Sequence, residues 1–206
     1  MTSGGAGTLP PKIYQLPTGW LGGPRRLTGL TVSGVDETLL VEERGRLLEF
    51  SYTDMLCYAG PYSPAGVANA FKVMQRAFAA LSPNQPPQRR SVVIRTAFQG
   101  PGARDGFEAV TRAVTDGRYT VEPALARPGR GRLLRSFVFQ ISIAGRTATL
   151  LLRPGFVTAE FIDLAGKSDR SQTEEAHLDQ LKTELARRVL AAPAEEVYDM
   201  AEQSHP

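Results

Sequence analysis

From Pro64 onward, Val67, Phe71, Met74, Phe78 and Leu81 recur at steps of three and four residues. That spacing gathers the apolar side chains on one face of a helix for about five turns. Pro64 suits the first helical turn, where its missing N–H costs nothing, and Ser63 stands in the N-cap position before it. The proline-heavy "SPNQPP" ends the helix. A helix with so long an apolar face must be covered by the other elements of the chain.

Upstream, "LTGLTV", "TLLVEE" and "RLLEFSY" are β-leaning runs separated by the turn-sized "SGVDE" and "RG", which predicts a short meander. Downstream, "SVVIRTAFQ" is nearly continuous in apolar and β-branched residues, the composition of a strand buried on both faces. "GPG" then turns the chain into a second helix, Ala103 to Thr115, with Phe107, Val110 and Val114 inward and Gly117 as its C-cap. "RYTV" begins another strand. "RSFVFQISIAGRTATLLLRPGFVTAEFIDL" reads as three strands, the first two joined at "AGR". A helix from about Thr173 to Leu190 turns Leu178, Leu181, Leu185 and Val189 inward, and "APAEEVYDM" returns as a short segment. This order predicts an α+β fold: strand–helix units plus an antiparallel sheet, with a C-terminal helix packed on the sheet.

The chain has 206 residues, which suits one domain with arms. Residues 1–26 form a Gly/Pro-rich arm with Ile13, Leu16, Trp20 and Leu21 as its anchors, 27–200 the body, and 201–206 a tail. No stretch approaches the roughly 20 apolar residues that span a bilayer, and the N-terminus lacks the pattern of a secretory signal. One cysteine rules out an internal disulfide framework and points to a reducing, cytoplasmic setting. The net charge is +3 and the pI about 9.2. The one dense basic stretch, "RPGRGRLLR" from Arg127 to Arg135, has two readings, a solvated loop or a phosphate contact. No aromatic residue interleaves with it, so a nucleic-acid surface is not expected.

Chemistry-bearing residues concentrate at two turns. "CYAGPYSPAG", read as following a strand, supplies Cys57, Tyr58, Tyr62 and Ser63. The strand and turn of "RTAFQGPGARDG" supply Arg95, Thr96, Gln99, Arg104 and Asp105. If both turns lie at one strand-end edge, they line one cleft. "GPGARDG" lacks the Walker ending and the dinucleotide spacing, leaving a tight turn or an anion-binding helix start as its readings. The only histidines are His177 and His205, too few for a histidine-rich site. A triad through Ser63 has no G-x-S-x-G elbow to carry it. Cys57 is either a small hydrophobe or a thiol open to an unforeseen cofactor, haem included.

"GPYSPAGVANAFKVMQRAFAAL", "VVIRTAFQGPGARDGFEAVTRAVTDGRYTV" and "LARRVLAAPAEEVYDM" resemble three successive blocks of the FmdE family, named for a component of formylmethanofuran dehydrogenase. The likeness covers about residues 50–200. In that family the first block reads His-Gly-His-x-Cys-Pro-Gly and the second carries a further cysteine, side chains suited to a zinc-like metal. Position by position, the resemblance puts Ala59, Pro61 and Ser63 where the histidines and first cysteine belong, and Gly102 where the second cysteine belongs. Gly60, Pro64 and Asp105 are retained. The resemblance thus implies a site loop whose turn survives and whose metal ligands are gone.

Two functions are expected from this. One is a metal-free enzyme without a cofactor that rearranges, cyclises, dehydrates or isomerises a polar metabolite. Asp105, Tyr62 and Ser63 would be its catalytic groups, and Tyr58, Cys57, Arg95, Thr96, Gln99 and Arg104 its ligand contacts. The other is a non-catalytic ligand-binding or accessory component of an oxidoreductase complex. Either is expected to be a homodimer with a small-molecule ligand and no membrane or nucleic-acid partner.

Overall fold

A computed structural model describes residues 37–201. The arm, "LTGLTV" and residues 202–206, with His205 among them, lie outside the described residues. β1 (Thr38–Glu43) and β2 (Arg46–Ser51) form an antiparallel hairpin with Thr38 opposite Ser51. Its two-residue turn, Arg44-Gly45, has positive φ at both positions, 53° and 76°. That is the turn geometry that follows the natural twist of paired strands.

The chain then enters a helix, α1 (Tyr52–Ala59), where a strand end is expected. The reason is local: Ser51 Oγ accepts the Asp54 N–H at 3.1 Å while the Asp54 carboxylate accepts the Ser51 N–H at 2.9 Å. This reciprocal cap starts a helix immediately after β2. The "CYAGPYSPAG" turn therefore joins two helices.

α2 (Pro64–Leu81) has the bounds that the periodicity predicts, but it is surrounded rather than half-covered. It packs against α1, against α3 (Pro101–Thr111), against α6 (Gln172–Ala191), and on the sheet. Ala65, Ala68, Ala70 and Ala77 are buried between its larger apolar residues, and so are Asn69 and Lys72.

The main sheet runs β4 (Tyr119–Val121), β3 (Val93–Thr96), β5 (Val138–Ile143), β6 (Arg146–Leu152), β7 (Tyr198–Met200). β3 and β4 are parallel, with Ile94 beside Tyr119, and the other neighbours are antiparallel. β3 is shorter than expected and alternates, with Val93 and Arg95 exposed and Ile94 and Thr96 buried, because helices cover only one of its faces.

α3 begins at Pro101 and ends at Thr111, with Arg112 left-handed (φ 56°) at its C-cap; Gly117 (φ 69°) lies in the following turn. Glu108 stops the helix early, because its carboxylate accepts the N–H groups of Val114 and Thr115 at 2.7 and 3.1 Å. The third expected strand of the C-terminal half is instead a helix, α5 (Ala159–Gly166), capped by Thr158 accepting from the Phe161 N–H at 3.2 Å. β7 takes the place of that strand beside β6, following the short α7 (Ala194–Val197).

The architecture is α+β. α6 buries Leu178, Leu185 and Val189 and packs chiefly on α2 and α5, so its route to the sheet runs through α2. Phe139 on β5 centres the core, with its ring 5.8 Å from Phe98, 6.0 Å from Phe107 and 5.9 Å from Tyr198. Among the described residues no helix is long and apolar enough to cross a membrane.

Candidate functional site

The two turns do meet, because α2 and α3 cross in backbone contact. A Cβ on Gly102 would run into the Ser63 carbonyl oxygen and lie 2.6 Å from the Ser63 Cβ. A Cβ on Gly66 would lie 2.7 Å from the Ala103 nitrogen. Glycine at these positions is therefore a requirement of close approach. Ser63 occupies the N-cap position of α2, but its hydroxyl makes no capping bond; its carbonyl accepts the Val67 N–H at 3.2 Å. Gly60 (φ 81°) ends α1 by donating its N–H to the Leu56 carbonyl at 2.8 Å. Cys57 and Tyr58 sit on the last turn of α1, both exposed. Tyr58 is 53% and Tyr62 75% exposed.

On the first turns of α3, Arg104 pairs with Asp105 at 3.2 Å. Tyr119, which no sequence motif singles out, lies close enough to sense both charges. Burial pushes its phenol up to about 12, with Arg104 pulling it down and Asp105 raising it. Its ring lies 6.2 Å from Phe107. Its only sequence signal is its place in the strand-like "RYTV"; strand pairing sets it beside Ile94 and against Phe107 of α3.

Arg95 and Thr96 serve elsewhere. Arg95 lies on the open face of the sheet, donating to Glu122 at 2.7 Å and to Gln140 at 3.3 Å. Thr96 is buried and fastens β3, donating to the Val138 carbonyl at 2.7 Å and accepting the Phe98 N–H at 3.0 Å. Gln99 is exposed. His177 is exposed on α6 and meets Glu160 at 2.7 Å.

Ala59, Pro61, Ser63 and Gly102 offer neither imidazole nor thiolate, so the residues present do not fit a zinc-type centre. Among the described residues no three of His, Cys, Asp and Glu gather in a set that could hold a metal ion. The chemistry the turns offer is hydrogen bonding. Burial holds the Tyr119 phenol protonated, Asp105 already faces a guanidinium, and the Tyr58 and Tyr62 rings are exposed. An open groove of about 460 Å³ lies elsewhere, between β1, the end of α2 and the Ser82–Pro87 loop, and none of the candidate residues lines it.

No family model matches the chain, and no curated protein matches it.

Proposed function

We propose that the chain is a non-catalytic ligand-binding or accessory module on an FmdE-like scaffold, working through the surface around the Gly60–Ser63 turn. The observation that carries this reading is the outward exposure of Tyr58, on the last turn of α1, and of Tyr62, within that turn. Exposed tyrosines supply large contact area with a polar tip, the combination enriched where proteins bind one another. The scaffold reading draws support from the contact between Ser63 and Gly102. These are the positions that the resemblance equates with cysteines of two separate family blocks, and side chains that ligate one metal must be neighbours. The alternative, acid–base chemistry on a polar metabolite, draws its support from the cluster of Arg104, Asp105 and Tyr119.

The test places a photoreactive benzoylphenylalanine at position 62, or at the exposed position 183 as control, in the full chain expressed in its own host. One dominant adduct from position 62, absent from the control and lost with Tyr58→Ala, is expected. An adduct of twice the chain mass identifies a second copy as the partner. Adducts no more abundant than the control overturn the docking reading. A metabolite consumed by the native chain, and spared by Asp105→Asn, establishes the enzyme instead.

A further inference from the structure

The nine residues Arg127–Arg135 follow β4 and lead into β5. Their backbone closes on itself. The Arg127 N–H donates to the Arg135 carbonyl at 2.8 Å, the Arg130 N–H to the Arg127 carbonyl at 3.0 Å, and the Arg135 N–H to the Gly131 carbonyl at 3.0 Å. Four arginines are thus brought into one compact loop, which includes the short α4 (Gly131–Leu134). Arg132 pairs with Asp163. Arg127, Arg130 and Arg135 have no carboxylate partner among the described residues, whereas Arg89, Arg90, Arg95, Arg118 and Arg153 each do.

Arg130 is also fixed in place. Its Nη2 donates to the Leu152 carbonyl at 2.5 Å, and its Nη1 is buried with no hydrogen-bond partner. Buried donors are nearly always satisfied, so an unpartnered one in a loop whose closed backbone also carries Arg127 and Arg135 calls for an acceptor. The loop stands at the carboxyl ends of the parallel pair. The Glu122 N–H donates to the Thr96 carbonyl at 2.7 Å, and Phe98, just past β3, packs 4.8 Å from Phe137, just past the loop. α3 starts from the same edge, where open sheets commonly take their ligands.

We propose that this loop binds a phosphomonoester group, with Arg130 as the fixed donor and Arg127 and Arg135 supplying charge. A dianion with three acceptor oxygens matches guanidinium forks in both charge and geometry. The absence of aromatic residues within the stretch favours a small phosphorylated molecule over a nucleic-acid strand. The site uses none of the residues of the docking surface and stands independently of that reading.

The test is calorimetric titration of the full chain at low salt with glycerol 3-phosphate. Glycerol, sulfate and a single-stranded oligonucleotide serve as comparison ligands. Saturable binding is expected that strengthens as pH rises through the phosphate's second ionisation at about 6. It should weaken about tenfold or more in the Arg127→Gln/Arg135→Gln variant, which disturbs no hydrogen bond of the fold. Arg130→Gln should weaken it further, and circular dichroism of that variant separates lost binding from lost folding. Binding that sulfate matches at every pH marks a general anion patch and overturns the assignment. So does preference for the oligonucleotide, the absence of saturable binding, or equal affinity in the double variant.

Discussion

The Tyr198 hydroxyl donates to Asn69 Oδ1 inside the core, joining the last strand to the middle of the central helix across 129 residues of chain. The Asn69 side-chain amide in turn donates to the Ala65 carbonyl at 2.7 Å, and both residues are buried. Burial alone drives the Tyr198 phenol well above its ordinary pKa, so it stays a donor throughout the physiological range. Tyr198→Phe keeps the ring against Phe139 but strands the Asn69 oxygen. A loss of about 1–3 kcal/mol is expected, the cost of an unsatisfied buried acceptor. Adding Asn69→Leu should recover part of that loss in chemical denaturation. Equal stability of native and Tyr198→Phe proteins would show the bond to be idle.

The helix crossing makes a second prediction. Gly102→Ala drives a methyl into the backbone and Cβ of Ser63, and overpacking against backbone costs about 1–3 kcal/mol. Gly129→Ala, which meets nothing within 4 Å, is the matched control and should leave the melting temperature unchanged or slightly raised. If both alanine variants melt alike, the close approach of α2 and α3 is not limiting.

Lys72 is 1% exposed, and its ammonium lies 2.5 Å from Glu37, which is 51% exposed. Burial works to raise the Glu37 carboxyl, but hydrogen bonds from Lys72 and Gln75, with the Lys72 charge, hold it below the ordinary glutamate range. A carboxyl lowered by folding contributes stability that is fully present above its unfolded pKa and lost as pH falls through the lowered folded value. Glu37→Gln, which leaves the buried ammonium without its anion, should cost about 1–2 kcal/mol at neutral pH, discounted for the exposure of Glu37. The gap between the two proteins should close on acidification below the Glu37 pKa. Parallel stability curves across that range would refute the pairing.

At α3, Asp105→Asn removes the anion beside Arg104 at almost constant shape. Because the pair is exposed, folding should lose no more than about 1 kcal/mol. Since the Asp105 charge raises the Tyr119 phenol, that pKa should move down from about 12 in an ultraviolet pH titration. The photoadduct at position 62 should persist. A fall of roughly 10²–10⁴-fold in turnover of any metabolite would instead mark Asp105 as an acid or base.

What could be read from the sequence was set by neighbours along the chain. Pro64 opens α2 and the proline loop closes it, and the Arg44-Gly45 and Ala144-Gly145 turns join hairpins. Each of these signals acts over about four residues and survives any tertiary context. Other elements depended on what came to lie beside them. "TAEFIDL" has the composition of a strand, yet β7 fills the place beside β6 and the Thr158 cap leaves the segment helical. β3 alternates because helices cover one of its faces only.

The site divides in the same way. The turns at Gly60–Ser63 and "GPG" were legible from glycine and proline alone, although α3 starts at Pro101 and not at the expected Ala103, and the first turn joins two helices. That Ser63 would rest against Gly102, that Tyr119 would lie within reach of Arg104 and Asp105, and that Thr96 would be spent on holding β3 were not. Those relations arise where helices cross and strands pair, between residues far apart in the chain. Their energies come from burial and close contact, which no local pattern records; only the packed core, in which α2 meets α1, α3, α6 and the sheet, decides them.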